Sequence, residues 1–96
     1  MDQIDHNIIV ETENLGSNNS LILTSEGIVL IDSPHKPTDA VKWKKEIDSR
    51  GKVLYLINTD HHIDHTLTNS MLPGTIIAHE VTRKKLMQNY GGSEFV

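Results

Sequence analysis

Val53-Leu54-Tyr55-Leu56-Ile57 is a continuous apolar run that stops abruptly at Asn58. A strand of this composition reads as buried on both faces, which requires a sheet layered against helices. The neighbouring segments supply those layers. Thr38 to Arg50 reads as an amphipathic helix, with Thr38 as N-cap after Pro37, Ala40, Trp43 and Ile47 at i, i+3 and i+7, and Gly51 as the stop. Beyond the run, a loop over residues 59–65 gives way to a short helix reaching Leu72, which Pro73-Gly74 breaks. Thr75 to Ala78 reads as a further strand, and Glu80 to Tyr90 as a helix stopped by Gly91-Gly92.

The first third of the chain is β-prone. Ile8 to Thr12 is a short strand, residues 15–20 are turn chemistry, and Leu21 to Thr24 and Ile28 to Ile31 flank Ser25-Glu26-Gly27 as an antiparallel hairpin. The resulting order is β-β-β-α-β-α-β-α, an α/β architecture in which residues 1–96 form a single unit. Leu, Ile, Val and Phe make up 27 of 96 residues, enough for the chain to collapse. The core of so short a chain is thin unless a partner, a metal or further sequence adds to it.

The net charge of −4 argues against nucleic acid as a main partner, because phosphate binding needs a concentrated basic surface. Residues 1–35 hold six acids and no Lys or Arg, and residues 36–96 hold nine bases and seven acids; the imbalance is read as solvated surface charge. With no cysteine, disulfides and thiolate chemistry are excluded. Neither a basic, apolar leader nor a membrane-length apolar run is visible, so a soluble cytoplasmic protein without membrane contact is expected.

Three of the six histidines fall within Asp60-His61-His62-Ile63-Asp64-His65, directly after the most apolar strand. Imidazole and carboxylate are ligand types for zinc, iron and manganese, and a loop at a strand end can aim several at one point. Asp60 and His62, at alternating positions, project to one side of the strand's extension, while Asp64 and His65 sit where the next helix begins. The four side chains thus approach from two directions and define two metal half-sites. His6, His35 and His79, taken singly, are read as packing or surface residues. No Gly-x-Ser-x-Gly elbow, phosphate loop or dinucleotide glycine pattern is present.

The residues Asn58-Thr59-Asp60-His61-His62-Ile63-Asp64-His65-Thr66, with Asn69 three residues on, resemble the hallmark H-x-H-x-D-H of the metallo-β-lactamase-fold hydrolases. The stretches from Gly16 to Leu23 and Gly27 to Pro34 look like that family's opening strands, and Ile77-Ala78-His79-Glu80 like the strand and helix start that follow the motif. The resemblance covers about Ile8 to Leu86. It implies that the chain is the N-terminal half of an αββα sandwich, a mixed and largely antiparallel sheet with helices on one face. It also implies that Asp60, His62, Asp64 and His65 are metal ligands, that His61 faces away, and that Asp32 supports the site without ligating.

The implied activity is hydrolysis of an ester, lactone, thioester, lactam or phosphodiester in a small-molecule substrate, by water activated at one or two zinc ions, with iron or manganese as alternatives. Asp64 would be catalytic as well as a ligand, orienting the nucleophile. Asp60 stands where the family has its first histidine, so an anionic ligand replaces a neutral one and lowers the effective charge on the metal. The family's later half supplies the remaining ligands, so each metal has two from this chain, and the completing partner is expected to be that half or a second copy. The exposed sheet face is expected to carry Leu21, Leu23, Val29, Ile31, Leu54 and Leu56. A non-catalytic half-fold serving in binding or assembly is the alternative.

Overall fold

The computed structural model describes residues 1–90. The elements are β1 (Asp2–Asp5), β2 (Ile8–Glu11), β3 (Asn19–Leu23), β4 (Ile28–Ile31), α1 (Pro37–Asp48), β5 (Val53–Asn58), α2 (Ile63–Thr66), a 3₁₀ turn (Asn69–Met71), β6 (Thr75–Ala78) and α3 (Glu80–Tyr90). They build one open six-stranded sheet in sequential order. The pairs from β1 to β4 are antiparallel, and β4–β5 and β5–β6 are parallel. The change of sense falls where α1 intervenes, because strands joined by a helical crossover run parallel whereas those joined by tight turns cannot.

The register divides the apolar residues between two faces. Ile9 lies opposite Leu21, Leu21 opposite Leu30, Leu30 opposite Leu56 and Leu56 opposite Ile76. That row is covered by Trp43 and Ile47 of α1 and by Leu72, and forms the core with Ile28 and Val53. The other face carries Val10, Ile31, Ile57 and Ile77 in one row and Ile8, Ile22, Val29 and Tyr55 in the next. It lacks a covering layer among the described residues, and Tyr55 and Ile77 are each 44% exposed.

Several expectations change. Leu21 and Leu56, expected on the exposed face, are fully buried beneath α1, and Leu23 packs against the same core. Strand alternation separates them from Val29 and Ile31, which do lie on the open face. Leu54 sits at a register shift between β4 and β5 and is half-buried. Strand β5 is therefore buried on one face and half-exposed on the other. Its apolar run reports an open second face, not a covered one.

β1 is absent from the sequence expectation: Asp2-Gln3-Ile4-Asp5 is exposed throughout and is recruited solely by edge pairing with β2. Thr38, expected as the N-cap of α1, lies inside the helix: the N-cap is Lys36, two residues earlier, and Pro37 takes the first helical position, where its missing N–H costs nothing. The helix to Leu72 is split into α2 and the 3₁₀ turn. The proposed stop at Gly91-Gly92 lies outside the described residues. No helix among these residues is long and apolar enough to cross a membrane.

Candidate metal centre

The site is built where β4 and β5 end side by side. Past Ile31, Asp32 takes a left-handed conformation, φ 59°, while its N–H still bonds the Ile57 carbonyl at 2.7 Å. Asp is among the few residues that tolerate this region, and the turn aims its carboxylate across β5. Asp32 is 3% exposed. Its Oδ1 accepts the Thr59 N–H at 2.8 Å, and its Oδ2 accepts the Thr59 hydroxyl at 2.6 Å and contacts His65 Nδ1 at 2.9 Å. A buried carboxylate satisfied this fully is held in place and fixes the ring it contacts. With Nδ1 engaged, Nε2 of His65 is left facing Asp64, 3.7 Å from Oδ1.

The backbone of this turn is held by polar groups buried under it. The His65 carbonyl accepts the Ser33 N–H at 2.8 Å and lies 3.0 Å from the Ser33 hydroxyl. Asn58 and Asn69 exchange amide hydrogen bonds at 3.1 and 2.7 Å, and both are buried. From the other side, Ser17 donates both its N–H and its hydroxyl to the Asp64 carbonyl. Gly16, φ +97°, leaves no room for a side chain, because a Cβ there would lie 2.9 Å from His35 Cβ and 3.2 Å from Asp64 Cβ.

Asp60, His61 and His62 form the outer part of the site, beyond the end of β5. Asp60 Oδ2 lies 2.6 Å from His62 Nδ1, and that hydrogen bond is the main reason the Asp60 carboxyl is lowered to about 2. At His65, partial burial alone would lower the imidazole pKa. The hydrogen bond to Asp32 and the charges of Asp32, Asp64 and Asp60 outweigh it, so the net shift is upward. In both, the hydrogen bond between imidazole and carboxylate is the largest cause acting in the direction of the shift.

Of the residues expected from sequence, Asp60 meets His62, Asp64 approaches His65, and Asp32 supports His65 from behind. His61 does not face away: its Nδ1 is 3.2 Å from Asp60 Oδ1, and its ring stacks on that of His62 with centroids 4.5 Å apart. The strand alternation that would set Asp60 and His62 on one side does not govern it, because β5 ends at Asn58. The parts that sequence reasoning left without a role are Asn58, Asn69, Thr59, Ser33 and Ser17. For Asn58, Thr59 and Ser33 the signal is the placing of small polar residues at the ends of apolar strands, where buried backbone must find partners; Asn69, in the 3₁₀ turn, and Ser17, ahead of β3, have no such marker. His79 caps α3, its Nδ1 accepting the Val81 N–H at 3.1 Å, and His6 pairs with Asp5 at the exposed edge.

Residues 13–96 match the family model of the metallo-β-lactamase superfamily, and the chain belongs to that superfamily. Among solved structures, it is similar to the DIM-1 metallo-β-lactamase at a TM-score of 0.73 and 19% identity, over 92% of this chain and 45% of that one. A metallo-β-lactamase from Pontibacter korlensis gives 0.71 and 18%, over 92% and 46%. A B3 metallo-β-lactamase described as having an active-site glutamic acid gives 0.69 and 22%, over 88% and 34%. At these identities the likeness is one of fold, and the chain spans less than half the length of these structures. A comparison with curated proteins found no match.

Proposed function

We propose that this chain carries the first metal-ligand set of a metal-dependent hydrolase acting on an ester, lactone, thioester, lactam or phosphodiester of a small molecule. The observation that carries the reading is the Asp32–His65–Asp64 arrangement. A buried carboxylate grips Nδ1 at 2.9 Å, which leaves Nε2 facing a second carboxylate oxygen 3.7 Å away. A histidine whose one nitrogen is held by a carboxylate and whose other is free is the usual form of a metal-ligating imidazole. The donor set fits zinc, with iron or manganese as alternatives: imidazole and carboxylate alone, two half-exposed clusters, and no thiolate.

Asp64 and His65 would hold one ion, and Asp60 and His62 the other. Bound there, such ions supply Lewis acidity that activates water and stabilises developing negative charge. The chain's own contributions are those of its side chains. Asp32 sets the His65 tautomer, Asp64 is placed to orient a nucleophilic water, and Asp60 adds negative charge where the family has a neutral ring. A glutamic acid in the active site of one structural neighbour supports a carboxylate as compatible with this fold. The remaining ligands, and the cover for the open sheet face, are assigned to a second half of the domain or to a second copy.

The test is metal analysis of the purified chain, alone and with any co-purifying polypeptide, followed by assay against a panel of those five bond classes. Stoichiometric zinc, iron or manganese with hydrolysis that chelator abolishes supports the reading. The alternative, a non-catalytic binding or assembly module, is favoured by the uncovered apolar face alone. It gains ground if a partner is bound tightly while no metal is retained and no bond is cleaved.

A further inference from the structure

Residues 60–62 do not continue the strand that precedes them. Asp60 folds its carboxylate back so that Oδ1 accepts the His61 N–H at 2.6 Å, and the two rings that follow come to lie on the same side. Their planes are 26° apart, and each presents Nδ1 to a different oxygen of the one carboxylate, His61 to Oδ1 at 3.2 Å and His62 to Oδ2 at 2.6 Å. One ligand atom from each of the three residues lies within 4.8 Å of the other two. Bonds of about 2.0–2.2 Å to a shared tetrahedral ion put donors about 3.3–3.6 Å apart. The three donors are therefore already gathered at little more than the spacing that a shared ion requires.

We infer that His61 is a metal ligand, so that Asp60, His61 and His62 form a site of two histidines and one carboxylate within three consecutive residues. The inference rests on the metal-dependent reading above and departs from the family resemblance, under which the residue at this place is a bystander. The substitution at position 60 supplies the physical reason. A carboxylate offers two oxygens and a negative charge, and both imidazoles gather on it; a third neutral ring in its place has no such pull. Two imidazoles and a carboxylate make up the donor set of some catalytic zinc sites and of non-haem Fe(II) sites. Three donors so close in sequence occupy one side of an ion and leave the opposite side for water, substrate or further ligands. The three side chains retain 30 to 65% of their exposure, so an ion can enter without the fold opening.

The test uses the full chain, with Zn(II) and Co(II) as probes and a chromophoric chelator as competitor. Loss of a group that merely supports a ligand costs about 10–100-fold in affinity, so His61→Ala is expected to weaken binding by about tenfold or more. Nitrogen-15 NMR of the imidazoles is expected to show a His61 ring nitrogen shifting with zinc together with one of His62. His6→Ala, which removes an exposed ring paired with Asp5, is expected to change nothing. If Asp60→Ala and His62→Ala each lose affinity while His61→Ala binds as the parent does and its ring nitrogens stay put, the inference is overturned and the metal-dependent reading stands. If none of Asp60→Ala, His61→Ala, His62→Ala, Asp64→Ala and His65→Ala alters binding, both fall.

Discussion

Oδ2 of Asp32 and Nδ1 of His65 lie 2.9 Å apart across 33 residues of chain. This contact ties the end of β4 to the turn after β5, and two things follow from it: the His65 tautomer is set, and its free nitrogen is aimed. The left-handed backbone at Asp32 is tolerated because it directs the carboxylate into this contact. Backbone held in sparsely populated regions is a recurrent feature of functional sites.

Asp32→Asn separates charge from shape, since Asn also tolerates the left-handed region. Metal affinity at the Asp64–His65 pair is expected to fall about 10–100-fold, with the fold retained by circular dichroism. The same variant is expected to lower the His65 imidazole pKa, because it removes one of the charges that raise it. An NMR titration in which His65 behaves identically in parent and variant would take Asp32 out of this role.

The pH dependence of the metal-free chain has a defined sign. His65 is raised in the folded state, so its contribution to stability is complete below the unfolded value of about 6.5 and is lost as pH rises through the folded value. Asp60 is lowered to about 2, so its contribution is present above the unfolded value of about 3.9 and is lost as pH falls towards about 2. Urea midpoints measured across pH are expected to decline over the upper window, and His65→Gln is expected to flatten that decline. Added zinc is expected to reverse the trend, because a metal ion binds the neutral imidazole and gains affinity as protons leave.

Much of this arrangement is legible in the sequence, and the exceptions have physical causes. The cluster from Asp60 to His65 is readable because its residue types share one chemistry and follow a strand whose end is marked by Asn58. The partner of that cluster, Asp32, is separated from it by a helix, and only the family resemblance places it. His61 departs from what the resemblance implies because β5 ends at Asn58 and both rings that follow contact the Asp60 carboxylate. The two sheet faces are confused because Leu54, Tyr55 and Ile57 make β5 as apolar on its open face as on its covered one. A polar edge strand such as Asp2–Asp5 has no pattern of its own, since pairing with β2 alone defines it.

The reciprocal amides of Asn58 and Asn69 carry a stability prediction. Each is buried and is the other's partner, so removing either one orphans a buried polar group, at about 1–3 kcal/mol. Asn58→Ala and Asn69→Ala are each expected to lower the melting temperature, and the double variant is expected to lose much less than the sum. Additive losses in a double-mutant cycle would show that the two do not act as a pair.

Gly16 is predicted to be irreplaceable for steric reasons at the site itself. A methyl at this position meets both His35 and Asp64, on a backbone at φ +97°. Gly16→Ala is expected to destabilise the fold by about 1–3 kcal/mol and to weaken metal binding by displacing Asp64. Gly51→Ala provides the comparison: its backbone is also at positive φ, but its Cβ meets only Ile28 Cδ1 at 3.8 Å. It is expected to cost stability without touching affinity. Equal effects of the two on metal binding would mean that Gly16 matters as backbone alone.

The open face of the sheet makes the last prediction. Val29 lies opposite Tyr55, and Ile31 opposite Ile57, which in turn lies opposite Ile77, so apolar side chains adjoin one another over three strands with no layer on top among the described residues. A contiguous apolar surface of this kind is an association site, and among the described residues β6 beside it is the edge of the sheet, a place where a further strand can pair. The chain is therefore expected to run in solution as a dimer or larger species, or to be held by a partner that covers this face. Ile57→Glu places a charge on the half-buried side of β5, away from the core row of Leu30 and Leu56. It is expected to shift the mass towards monomer while metal affinity is kept, because the proposed ligands lie beyond the end of the strand. A parent chain that stays monomeric at every concentration and unfolds in one cooperative step would show that the face is stable in water as it stands. The case for a covering partner would then be withdrawn, with the metal centre judged separately on its own binding data.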